Sequence, residues 1–137
     1  MKQETVNFLR YPGGKQRLLN YLLHHLPPRE SIKRRFVEPF VGGGAVFFAL
    51  KPKQSLLADI NSELIDLYRG IRRYPNEVWE IFQAFPSTRE AYYEIRNSRI
   101  DGLDLASRAA RTLYIRILLS GEIRYGKGYR KQRVKSS

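Results

Sequence analysis

An α/β fold, dominated by helix and carrying a helical insertion, is what this sequence predicts. Three observations lead there. Phe36 to Val41 is a short apolar run, broken by Glu38 and Pro39; Gly42-Gly43-Gly44 follows, and then a helix-forming run from Ala45 to Leu50. A second short apolar stretch, Ser55 to Ile60, carries an acid, Asp59, at its end. From Ser62 to Leu119, apolar residues recur at helical spacing through successive segments.

Composition sets the bounds. At 137 residues one domain is expected, and 42% hydrophobic residues favour a globular chain over a disordered one. The absence of cysteine removes disulfides and thiolate chemistry. His24 and His25 are the only histidines and face different directions on a helix. A zinc site needs three or four converging ligands, so a solvated helix face is expected there and no metal. Neither an apolar signal segment nor a run of the ~18 apolar residues needed to span a bilayer is present, so a cytoplasmic chain away from the membrane is expected. Twenty-five basic residues against thirteen acidic give a net charge of +12. Such an excess favours a polyanionic partner, with nucleic acid first; the competing reading is a generally basic surface.

Taken in order, Tyr11-Pro12-Gly13-Gly14-Lys15 opens with turn chemistry. Lys15 starts a predicted helix over 15–26, with Leu18, Leu19, Leu22, Leu23 and Leu26 at helical spacing and Pro27-Pro28 ending it. A Gly-Gly-Lys turn before a helix suits an anion, or is an ordinary helix entry. It is not a Walker A loop: the first glycine is misplaced and Gln16 stands where Ser or Thr is required. Residues 29–35 form a charged link into a strand over 36–41. The glycines allow a sharp turn and a close-lying ligand, and the helix over 45–50 turns its positive end toward them. A nucleotide-like ligand across the strand ends fits this arrangement.

The second strand is predicted over 55–60. Asp59 lies about twenty residues past the start of the glycine-turn region, where nucleotide-binding folds place an acid for ribose hydroxyls. A strand-to-helix cap is its competing role. Asn61 caps a helix over 62–73, with Leu64, Ile65, Tyr68 and Ile71 on one side. Tyr74-Pro75-Asn76 breaks it, and Asn76 is expected to cap a helix over 77–85. Trp79 lies off that helix's stripe, free to pack on another element. Ser87-Thr88-Arg89-Glu90 reads as a capping box opening a helix over 88–98. Ile100-Asp101-Gly102 is a turn, and a last helix covers 104–119, with Leu105, Ala109, Leu113 and Ile117 spaced four apart. After Glu122 no acid remains. Arg124, Lys127, Arg130, Lys131 and Arg133 are candidate nucleic-acid contacts, interleaved with Tyr125 and Tyr129. The competing reading is a solvated tail.

The stretches Phe8 to Lys15, Val37 to Phe47 and Leu57 to Ile65, in that order and spacing, resemble the Dam-type (D12 class) DNA adenine-N6 methyltransferases. Tyr92 to Arg96 and Ala109 to Ile115 also look like that family's helical segment. The resemblance covers roughly residues 7–115, the N-terminal part of the family. It implies S-adenosylmethionine bound at the carboxyl ends of a mainly parallel sheet, and double-stranded DNA as partner. It implies cofactor contacts at Tyr11, where the family often has tryptophan, and at Lys15. Gly42, Gly43 and Gly44 would pass beneath the methionine part, Asp59 would hold the ribose, and Glu38 belongs to the same cofactor motif.

The family's catalytic motif is Asp-Pro-Pro-Tyr on a later strand. It orients the N6 of an adenine flipped out of the duplex, and transfer is then mainly positioning. This sequence contains no such motif; Glu38-Pro39-Phe40 is the nearest string and precedes the glycine turn. Beyond Ile115 the family's Asn-Arg and Phe-Asn-Gly-Leu-like segments are missing as well. The expectation is therefore a truncated Rossmann-like S-adenosylmethionine-binding core: residues 1–119 form a partial methyltransferase domain and 120–137 a basic, flexible tail. It has no catalytic residue and is inactive alone. The alternatives are a basic nucleic-acid-binding remnant, or one half of a split methyltransferase completed by a second polypeptide. A dinucleotide-dependent oxidoreductase fits less well, since Phe47 stands at the third glycine position of that fingerprint.

Overall fold

The computed structural model describes residues 9, 11 and 13–120, with side chains to residue 117. Two units divide the chain, Met1–Ile60 and Asn61–Ser137. The candidate residues Arg124, Lys127, Arg130, Lys131 and Arg133 lie outside the described residues.

In the N-terminal unit, the helix expected over 15–26 begins as a 3-10 turn, Lys15–Leu18, and becomes α1 only at Leu19–His25. Gly14 precedes it and has no side chain to accept a free amide, so tighter bonds of the 3-10 type satisfy the first donors. Leu19 of α1 is buried with Val46 and Leu50 of α2 (Ala45–Leu50), and Leu22, Leu23 and Phe36 pack around them. Leu18 departs from the expected stripe and is exposed.

The strands β1 (Phe36–Glu38) and β2 (Ser55–Leu57) pair in parallel, Val37 opposite Leu56 and Glu38 opposite Leu57. Both are shorter than the expected 36–41 and 55–60. Proline cannot donate to a ladder, and at Pro39-Phe40 the chain turns outward, leaving Phe40 74% exposed. Isolated bonds continue the pairing, Ala58 N–H to the Glu38 carbonyl and Val41 N–H to the Ala58 carbonyl, both 2.9 Å. Helix α2 has the predicted bounds and stops at Lys51, which takes a left-handed conformation (φ 47°) just before Pro52.

The second unit contains α3 (Ser62–Arg73), α4 (Pro75–Ala84), α5 (Arg89–Asn97) and α6 (Leu105–Ser120). Helix α6 packs against the other three and is buried without interruption from Ala109 to Tyr114. Helix α3 has the predicted bounds, and Asn61 caps it by accepting the Leu64 N–H at 3.4 Å. Gly70 lets α3 close on α6, since a Cβ there would strike the Ala109 methyl.

Two starts differ from expectation. Helix α4 begins at Pro75, two residues early, with Tyr74 rather than Asn76 at the cap position. Proline at the first helical position needs no N–H and has its φ preset. Helix α5 is capped by Thr88, whose Oγ1 accepts the Ala91 N–H at 3.2 Å. The cap is thus one residue later than a box on Ser87 requires, and Glu90 falls short of the reciprocal position. Asp104 caps α6, its Oδ1 accepting the Ser107 N–H at 2.7 Å, and that bond holds its carboxyl below the usual carboxylate range. Tyr92 and Tyr114 form a buried pair ringed by Phe82, Phe85 and Ile95. Trp79, expected to reach another element, is half exposed and stacks on Phe82 of its own helix at 5.4 Å.

Candidate functional site

The candidate residues of the N-terminal unit meet at the carboxyl ends of β1 and β2. Glu38 is the last residue of β1 and is buried. Its Oε1 accepts from Lys15 Nζ at 3.2 Å, and the same ammonium donates to the Phe40 carbonyl. Lysine is compact and long enough to reach both acceptors from the 3-10 turn. The other carboxylate oxygen, Oε2, is buried and has no hydrogen-bond partner. Burial pushes the Glu38 carboxyl above its ordinary 4.5; the Lys15 hydrogen bond and charge, then the field of the Phe47 backbone N–H, pull it partly back. A half-satisfied buried carboxylate costs folding free energy, so an additional donor at Oε2 would be strongly favoured.

The turn after β1 is held from two directions. Asp59, just past β2, accepts the Gly42 N–H on Oδ2 at 3.0 Å. Gly42 and Gly44 have φ of 51° and 75°, values that need glycine here, and Gly44 precedes α2. The Tyr11 ring lies on Gly42, so that a Cβ on Gly42 would sit 3.4 Å from its Cδ1. At Gly43 the close neighbour is the Leu9 carbonyl oxygen, which a Cβ would strike. Leu9 and Tyr11 therefore lie against the glycine turn, and Tyr11 and Lys15 come to the same place as Glu38 and Asp59.

Sequence reasoning missed the backbone here. The Leu9 carbonyl is the reason Gly43 has no side chain, and the Phe40 carbonyl is the second anchor of Lys15. No residue-type signal marks a carbonyl; the only hint was the density of Gly and Pro on both segments. In the helical unit it missed Arg111, which is buried and donates to the Ile95 and Arg96 carbonyls at 3.1 and 2.7 Å, with Glu63 at 3.5 Å. That guanidinium closes the end of α5 and ties it to α3.

Among the described residues no group of three or more His, Cys, Asp or Glu is placed to hold a metal. Likewise no helix among them is long and apolar enough to cross a membrane.

The family model for the D12 class N6 adenine-specific DNA methyltransferase matches residues 11–134. The match runs past Ile115, where the motif-by-motif resemblance ended. A type II methyltransferase of Lactococcus lactis subsp. cremoris is 36% identical over 114 residues, covering 79% of this chain and 39% of the relative. The DNA adenine methylase of Escherichia coli (strain K12) is 38% identical over 112 residues, with the same shares of 79% and 39%. A DNA adenine methylase of Vibrio cholerae is 35% identical over 132 residues, 93% of this chain and 46% of the relative. The chain thus spans less than half the length of these relatives.

Proposed function

The chain belongs to the D12 class of N6 adenine-specific DNA methyltransferases, and from that membership we propose that its N-terminal unit holds S-adenosylmethionine for methyl transfer to adenine N6 in DNA. One observation carries the reading: Tyr11, Lys15, Glu38, the Gly42–Gly44 turn and Asp59 gather at the carboxyl ends of a parallel strand pair. In a Rossmann-like sheet that is where nucleotides lie, and β1, α2 and β2 are read as its first repeat.

The residues present fit such a cofactor. Glu38 Oε2 is a buried acceptor lacking a donor, which suits the cationic amino group of the methionine part. Lys15 keeps that carboxylate from being a lone buried charge. Asp59 is fixed by the Gly42 N–H at the place proposed for the ribose, and the Tyr11 ring walls the turn. S-adenosylmethionine, when bound, supplies an electrophilic methyl group. The chain's own residues bind and orient it; no residue here is assigned to the target base.

Double-stranded DNA is proposed as the substrate, with Arg124, Lys127, Arg130, Lys131 and Arg133 of the basic 120–137 segment on its phosphates. The family's base-orienting Asp-Pro-Pro-Tyr is not among the 137 residues. The 137-residue chain by itself is therefore expected to bind cofactor and leave DNA unmethylated. Incubation with labelled S-adenosylmethionine and an adenine-containing duplex tests this. Transfer by the chain alone, abolished in Asp59→Ala, contradicts it.

A second reading, completion by another polypeptide, is favoured by one observation. Val37 and Leu56 face each other in register on the sheet and are 53% and 46% exposed, with Phe40 and Ile60 exposed nearby in sequence. An open apolar sheet of this kind seeks further strands.

A further inference from the structure

Near the end of α3, outside the motif stretches discussed above, Arg69, Arg72 and Arg73 are exposed and line a hollow of about 380 Å³ together with Leu105 at the start of α6. Their spacing puts 69 with 72 and 69 with 73 on one helix face, so three like charges crowd together. Three acids of the same unit are committed elsewhere, while Glu77 and Glu80 of α4 form no ion pair with these arginines among the described residues. Asp66 pairs with Arg108 at 3.0 Å, Glu63 with Arg111 at 3.5 Å, and Asp104 accepts the Ser107 N–H. Among the described residues Arg69, Arg72 and Arg73 form no ion pair or hydrogen bond.

The carbonyl end of α3 favours cations in its last turn, which accounts for one arginine. It does not account for three of them gathered around a concavity to which the described residues bring no counter-charge. Guanidinium forks match phosphate oxygens in pairs, and a hollow of this size admits a phosphate group with part of its chain. We propose that Arg69, Arg72 and Arg73 form a site for a backbone phosphate of DNA, one that anchors the helical unit on the duplex without reading its sequence. The proposal rests on DNA being the substrate, as argued above. The crowded charges are a folding cost that the bound phosphate relieves.

Contacts to phosphate are sequence-independent and steepen the salt dependence of binding. The test uses the whole chain and measures fluorescence anisotropy of labelled duplexes of unrelated sequence, between about 50 and 200 mM salt. The variant Arg69→Gln/Arg72→Gln/Arg73→Gln is compared with Lys33→Gln/Arg34→Gln/Arg35→Gln, which removes the same charge from the N-terminal unit. The α3 variant is expected to bind about tenfold more weakly at ~100 mM salt, with a salt slope shallower by about 1 to 2, equally on every duplex. The control variant is expected to change much less. Equal effects of the two variants, no effect of the α3 variant, or a loss confined to one duplex sequence overturns the proposal. Calorimetry with inorganic phosphate is the second probe. Phosphate binding lost in the α3 variant while DNA binding is unchanged assigns the hollow to a small anion and overturns the proposal too. Titration of S-adenosylmethionine into the same variant reports on the N-terminal unit separately, so failure there is not mistaken for failure here.

Discussion

Glu38 ties the stability of the N-terminal unit to the proposed cofactor site. Its pKa is raised chiefly because burial disfavours the charged form, and Lys15 offsets only part of that. A carboxyl with a folded pKa above its unfolded value binds protons more readily in the folded state, so stability falls as pH rises from about 4.5. Glu38→Gln removes that dependence, and hydrogen exchange of the core amides around Val41 and Val46 measures it. Protection in the native chain that does not decline above pH 4.5 relative to Glu38→Gln contradicts the assignment. Cofactor binding should reduce the decline, since a donor at Oε2 satisfies the ionised form. Glu38 and Asp59 were legible as acids beside a glycine turn. That Asp59 also fixes the turn through the Gly42 N–H was not, because the bond joins segments whose approach depends on strand register.

At the scale of elements, the bounds of α3 were read best, with Asn61 capping it, although its buried side is Leu64, Leu67 and Gly70 while Ile65, Tyr68 and Ile71 of the expected stripe are only half-buried. Boundaries moved where local chemistry had two solutions: Pro75 as breaker or first residue, and Ser87 or Thr88 as cap. The strands were overestimated because an apolar run does not reveal that Pro39-Phe40 leaves the sheet. The approach of α3 to α6 was invisible, since a single glycine within a helix looks like a weakness. Gly70→Ala should gain about 1 kcal/mol in helix propensity and still lose about 1–3 kcal/mol net, as its Cβ meets that of Ala109. Gly102→Ala, with φ of 82° and nothing within 4 Å, should cost only about 1–2 kcal/mol of backbone strain. Urea unfolding followed through Trp79, the chain's one tryptophan, checks both. A neutral Gly70→Ala refutes the close α3–α6 packing.

For the whole molecule, a charge of +12 and the open sheet that β1 and β2 form among the described residues set the expected behaviour in solution. The charge was plain in the composition, whereas its concentration around Arg69, Arg72 and Arg73 required the structure. If further strands complete the sheet, the chain should self-associate at low salt or co-purify with a partner polypeptide, and Val37→Thr/Leu56→Thr should reduce association. A stable monomer by light scattering, unchanged by those substitutions, counts against completion. The central claim is that residues of the N-terminal unit form a cofactor site. Calorimetric titration of S-adenosylmethionine into the 137-residue chain and into Asp59→Ala tests it most directly. The account predicts micromolar, one-to-one binding that Asp59→Ala abolishes and the α3 arginine variant leaves intact. No binding by the folded chain, or equal binding by Asp59→Ala, would contradict it.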